Sequence, residues 1–202
     1  MKNNREYRDL KIEVEKREEG EPSYIVRGYA STFEPYVLFE SEGIQYKEVI
    51  DPHAFDECDM SDVVFRVDHE GAVYARSSAG TLKVSVDEHG LMDEADLSKT
   101  SRGRELFEEI AAGNYPKQSF AFIVREDSYD KETHTRKINK IQKLFDVSPV
   151  SFPANPGTEL DIATRDYFNG VIEMEKAERL ENEKREKAKK ALELKLKIYE
   201  RK

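Results

Sequence analysis

Cysteine is almost missing from this chain: among 202 residues only Cys58 carries a thiol. A single thiol excludes an intrachain disulfide framework and any four-cysteine zinc site. Long hydrophobic runs are missing too. No apolar stretch approaches the roughly 20 residues of a membrane-crossing helix, and Met1 to Glu18 lacks the apolar centre of a signal peptide. Nor is there an excess of basic residues. Lys and Arg total 33 against 42 Asp and Glu, a net charge of −9, which argues against general binding to nucleic acid or anionic membranes. The expectation is a soluble protein of a reducing compartment, with one domain and an appendage.

What is present is unevenly distributed. From Val171 to Lys202 there are 11 Lys and Arg against 8 Asp and Glu, a charge of +3 that leaves −12 on the remainder. That tail has no Pro or Gly and is rich in Glu, Lys, Ala and Leu, all good helix formers. Its apolar positions (Met174, Ala177, Leu180, Ala188, Leu192) are interrupted by charges, which gives poor support for a sustained heptad coiled coil. It reads as an extended helical appendage.

Residues 8–100 read mostly as β. Leu10 to Val14 and Leu82 to Val86 alternate as strands with one buried face. Tyr24 to Ala30 and Val63 to Val67 are β-branched and aromatic runs of strand length. Turn signals at Glu21-Pro22, Asp51-Pro52, Ala79-Gly80 and His89-Gly90 separate them. One helix interrupts the pattern, capped by Thr100 or Ser101, with Leu106, Phe107, Ile110 and Ala111 on one face and Gly113 at its end. Strand signals resume at Gln118–Val124 and Ile138–Val150. Pro153, Pro156 and Gly157 mark a loop, and Leu160 to Tyr167 reads as a short helix. Many strands with one or two inserted helices predict a β-rich α+β fold, a closed β-barrel with peripheral helices.

Four histidines are candidates for chemistry. His134 and His89 lie in polar turns and read as solvated. His53 follows a strand but has little else to recommend it. His69 ends the run Val63 to Val67 between Asp68 and Glu70, either as a surface histidine or as a general base, since imidazole titrates near neutrality. No Gly-x-Ser-x-Gly motif and no Gly-rich phosphate loop occurs. Ser119 nevertheless heads an apolar strand, either hydrogen-bonded to backbone or as a nucleophile on a rigid element. Asp146 stands amid apolar strand residues and needs a partner if buried. Metal ligation by Asp68, His69 and Glu70 is poorly supported, because consecutive strand residues point to opposite faces.

These pieces occur in a familiar order. Gly28 to Phe33, Glu48 to Phe55, the strand ending at His69, Gly80 to Leu82, Asp87 to Leu91, Ser119 to Phe122, and Leu144 to Val150 through Pro153-Ala154-Asn155 follow one another over roughly residues 8–165. In that order the chain resembles the prohead (procapsid maturation) proteases of tailed bacteriophages, serine proteases similar in fold to herpesvirus assemblin. The resemblance implies a catalytic histidine at His69 and a nucleophile at Ser119. Asp146 stands where the family usually has a glutamate, one methylene longer. It further implies endoproteolysis within an assembling procapsid in the host cytoplasm. The partners would be the major capsid protein and its scaffolding segment, with self-cleavage and possible self-association. No cofactor, metal, nucleic acid or membrane is implied. Residues 1–168 would form the protease domain and 169–202 a charged helical extension. The oxyanion donors would be backbone amides of the loop Pro153 to Gly157. Rival readings are a catalytically silent procapsid scaffold or adaptor, and a hydrolase of small esters.

Overall fold

Residues 5–11, 24–151 and 162–199 of the computed structural model are described here. The elements follow in the order β1 (Glu6–Lys11), β2 (Ile25–Thr32), β3 (Tyr36–Ser41), β4 (Ile44–Ile50), β5 (Val64–Arg66), β6 (Val73–Arg76), β7 (Leu82–Val86), β8 (Gly90–Asp96), α1 (Ser101–Ala111), β9 (Lys117–Asp130), β10 (Thr135–Val150) and α2 (Ile162–Tyr199). The chain divides into two units, residues 1–161 and 162–202.

Alternation makes most of the strands of the first unit. In β2, Val26, Gly28 and Ala30 are buried while Ile25, Arg27 and Tyr29 are half-exposed, and in β8 Leu91, Asp93 and Ala95 are buried while Met92, Glu94 and Asp96 are half-exposed. A strand whose every second side chain is apolar loses least by turning that face from water. These two strands pair antiparallel, and β7 completes a three-stranded sheet in the order β2-β8-β7. β9 is different: Gln118 through Phe122 are all buried, as suits a central strand covered on both faces. It forms a long hairpin with β10 in the middle of the second sheet, whose order is β1-β9-β10-β4-β3.

β10 is a junction. Its first residues, Thr135 to Ile138, run parallel to Lys47 to Ile50 of β4, whereas Asp146 and Val147 pair in parallel with Val64 and Phe65 of β5. β5 in turn carries β6. The closed barrel expected from the succession of strands is not found. Among the described residues the ladders make two separate sheets, because β10 changes partner part-way and no ladder joins β2-β8-β7 to it. The two sheets share one core, in which Val26, Leu82, Leu91 and Ala95 join Phe120, Phe122, Ile141, Leu144 and Val147.

Two ends of the larger sheet are fastened by charge. Arg8 grips the Glu48 carboxylate with Nε at 2.5 Å and Nη2 at 2.7 Å, and Arg136 grips Glu6 at 2.7 and 3.0 Å. Tyr36 donates to Glu48, and Arg136 Nε to Asp127 at 2.6 Å. Glu6, Arg8, Glu48 and Arg136 are all buried, so each charge is tolerable only because its neighbours answer it. The guanidinium groups hold Glu6 below the usual carboxylate range, and Glu48 holds Arg8 far above its ordinary value against burial.

The α1 reading needs little change. Thr100 caps it by accepting from Gly103 N at 2.9 Å, Leu106 and Ile110 are buried, and Gly113 ends the turn with φ 88°. Ala111, expected on the apolar face, is exposed. The strand read over Val63 to Val67 is shorter, only Val64–Arg66. The expected strand over Leu10 to Val14 begins earlier, at Glu6, and is described as far as Lys11; Ile12 to Val14 lie outside the described residues, as do Glu21-Pro22 and the loop Pro153 to Gly157.

In the second unit, the short helix expected over Leu160 to Tyr167 and the helical tail are one continuous helix, α2. Gly170 sits inside it, since about 1 kcal/mol of lost propensity is outweighed by strong helix formers on both sides. Leu180, Leu192 and Leu194 are exposed along it.

Candidate active site

The site is built on the β9–β10 hairpin and the turn after β5. Ser119 lies on β9 and faces Ser148 of β10 across the ladder. Facing residues of an antiparallel pair share one side of the sheet, so Ser119 and Ser148 point the same way. Asp146, two residues before Ser148, follows on that side opposite Ala121. This depends on one irregularity. Leu144 faces Phe122 and Asp146 faces Ala121, so two residues of β10 oppose one step of β9 and Phe145 is the extra residue of a β-bulge. In an unbroken ladder Asp146 would face Phe120 and point to the opposite side.

His69 comes from a different element. It lies beyond β5 in a turn where Asp68 and His69 both have left-handed backbone, φ 47° and 59°. Consecutive non-glycine residues in that region are costly, and such strain persists only where the surroundings over-determine it. Here they do. Asp68 N donates to Pro149 O at 3.1 Å, and the Asp68 carboxylate accepts from Ser151 N at 2.8 Å and from Ser151 Oγ. Arg66 Nη2 donates to Gly71 O at 3.2 Å across the turn. The turn is thereby stitched to the end of β10.

The result brings the three expected residues together. His69 Nδ1 lies 2.6 Å from Asp146 Oδ1, and His69 Nε2 lies 2.8 Å from Ser119 Oγ. Ser148 Oγ donates to the same Asp146 oxygen at 2.6 Å. A carboxylate only accepts, so Nδ1 carries the proton and Nε2 offers its lone pair to the serine hydroxyl. Ser119 and Asp146 are 4% and 3% exposed, while the His69 side chain is 17% exposed. The acid is therefore dry and the imidazole reachable, the arrangement a nucleophile, its base and an orienting acid require.

A family model described as the caudovirus prohead serine protease matches residues 10–171. The chain belongs to that family. As a prohead serine protease it is a hydrolase of phage capsid maturation. No curated protein and no solved structure matches it.

The other candidates in this prohead protease fall elsewhere. His53 is exposed and bonds Asp56 at 3.1 Å; His89 is exposed and packs its ring edge against Tyr29. His134, expected to be solvated, is half-buried, with Tyr129 OH 3.1 Å from its Nδ1 and its ring against Tyr46. Among the described residues no three His, Cys, Asp or Glu side chains converge as metal ligands. Cys58 is half-buried and its thiol is pushed up to about 11 by burial, which keeps it protonated and a poor nucleophile. Two participants escaped the sequence reading: Ser148 as a donor to the acid, and Asp68 as a tether of the His69 turn. The two-residue spacing of Asp146 and Ser148 was the signal for the first. Nothing local marks the second.

Proposed function

We propose that Ser119 is the nucleophile of this protease, His69 its general base and acid, and Asp146 the group that orients the imidazole. The observation carrying the reading is an imidazole bonded on both sides, to a serine hydroxyl and to a buried carboxylate. As Ser119 Oγ attacks a peptide carbonyl, His69 Nε2 takes its proton and later returns it to the leaving amine. The imidazolium formed in between is stabilised by Asp146, whose charge is shared with the Ser148 hydroxyl. Water then repeats the cycle on the acyl-enzyme. These steps use no metal or cofactor.

The substrate is the major capsid protein, from which the enzyme removes the scaffolding segment inside the procapsid of the infected cell. Residues 169–202 form an extension beyond a protease domain of residues 1–168 and are the proposed place of self-cleavage. Support for this comes from the family description and from the change of charge sign at the tail. A herpesvirus-protease-like arrangement, with both sheets as parts of one barrel, belongs to the same proposal and is favoured by their common core.

The test is co-expression with the capsid protein, followed by mass spectrometry of both chains. Ser119→Ala should remove cleavage of either, leaving at most a residual rate several orders of magnitude down. Near-wild-type cleavage by a folded Ser119→Ala chain would overturn the assignment.

A further inference from the structure

Next to Ser119 lies a polar pair that the reaction does not use. Asp93 of β8 and Gln118 of β9 are both completely buried, and Gln118 Nε2 donates to Asp93 Oδ1. Asp93 Oδ2 and Gln118 Oε1 have no partner. Two acceptors are thus left in a dry place without a donor, an arrangement native structures rarely keep. One proton on Asp93 Oδ2 answers both. A neutral acid and a primary amide close into a ring in which each donates once and accepts once.

The surroundings favour the neutral form. Across the sheet Asp93 faces Gly28 on one side and Val84 on the other. Neither titrates, and a methyl on Gly28 would overlap Gln118 Oε1, so that strand is bare where the amide lies. Of the other charges of this sheet, Arg27, Lys83 and Glu94 engage one another on the opposite face, and Asp96 engages Lys99. No cation among the described residues pairs with Asp93.

We infer that Asp93 and Gln118 are positioning residues for Ser119, a neutral acid–amide clip that fastens β9 to the three-stranded sheet at the residue before the nucleophile. This rests on Ser119 being the nucleophile, as proposed above. Burial pushes the Asp93 carboxyl up to about 8, so the clip holds at and below neutrality. Ionisation removes the bridging proton and leaves a buried charge facing a carbonyl oxygen. β9 then loses its anchor where Ser119 meets His69, and a displacement of about 1 Å in such a site costs ~100-fold in rate.

The test uses the full chain, a fluorophosphonate as probe of Ser119, and carboxyl carbon NMR. Asp93 should titrate near 8 in the wild type and equally in Ser119→Ala, which separates its protonation from catalysis. Labelling of the wild type should slow as pH rises through that value. Asp93→Asn replaces the acid with a second amide that can close the same ring, so it should label at the wild-type rate at pH 6 and keep that rate on the alkaline side. Asp93→Leu should label ~10- to 100-fold more slowly with unchanged circular dichroism. If it fails to fold, the alkaline difference between Asp93→Asn and wild type decides alone. An Asp93 carboxyl already ionised at pH 6, or identical pH profiles for wild type and Asp93→Asn, would overturn the clip. Failure of the wild type to label at any pH would remove the positioning role along with the nucleophile, while the titration would still report on the acid.

Discussion

At the scale of single residues, the site turns on what Asp146 Oδ1 holds. It accepts both from His69 Nδ1 and from Ser148 Oγ, each at 2.6 Å. Asp146→Asn keeps the shape but puts an amide where an acceptor is needed, and turnover should fall by about 10⁴-fold with little loss of stability. Asp146→Glu keeps the carboxylate and should be tolerated far better. Ser148→Ala removes one charge-assisted hydrogen bond, of the order of 1.5–3 kcal/mol, so kcat/KM should drop about ten- to a hundredfold while labelling of Ser119 persists. Steady-state kinetics on purified variants checks all three. His69, Ser119 and Asp146 were legible in sequence chiefly through the resemblance, since gaps of 50 and 77 residues between His69 and its two partners are closed only by tertiary structure. Asp68 was not legible at all. Its left-handed backbone and its bonds to Ser151 are consequences of where β5 and β10 meet, and no local pattern announces them.

At the scale of elements, alternation revealed strands but not neighbours. β2, β5, β7, the start of β9 and β10 were visible as runs of β-branched, aromatic or alternating apolar residues. β3, β4, β6 and β8 went unread; they mix polar with apolar residues and are stabilised by pairing and charge as much as by apolar burial. The Glu48 carboxylate is the clearest case. Its strand is held by Arg8, Arg136 and Tyr36, residues from three other strands. Glu48→Gln should leave Arg8 only the Glu6 carboxylate, which Arg136 also holds, and cost about 3–5 kcal/mol, read as a lower urea midpoint with an unchanged slope. Replacing a whole buried network with apolar residues is often harmless; removing one partner is not.

At the scale of the molecule, stability depends on pH from two directions. Glu6, Glu94 and Asp96 are held below the usual carboxylate range by their hydrogen bonds and ion pairs, so their contribution is present at neutrality and lost as pH falls through their folded values. Asp93 acts the other way. The folded chain keeps its proton up to about 8, whereas an unfolded chain releases it near ~4. In that window the folded state binds more protons, so stability should fall by about 1.4 kcal/mol per pH unit as pH rises, and level off above it. Asp93→Asn should lack this slope, and its lead over the wild type in unfolding free energy should widen from pH 5 to 8. The helix is a separate matter. The family match ends at residue 171 and α2 runs on to Tyr199 within a unit of its own. Truncation after Gly170 should therefore spare peptide hydrolysis and impair procapsid assembly, measured side by side with the full chain.

The extra residue at Phe145 gives β10 two phases of alternation, one counted from the hairpin turn and one from the acid. Length changes of one residue then have opposite consequences at adjacent places. Deleting Phe145 removes the surplus and leaves Asp146 opposite Ala121, on the side it already occupies. Deleting Val147 puts Ser148 opposite Phe120 and turns its hydroxyl away from the carboxylate it serves. A chain related to this one by descent can thus lose a residue at the first position and keep its acid in place, while the same loss two residues later costs that acid its hydroxyl donor.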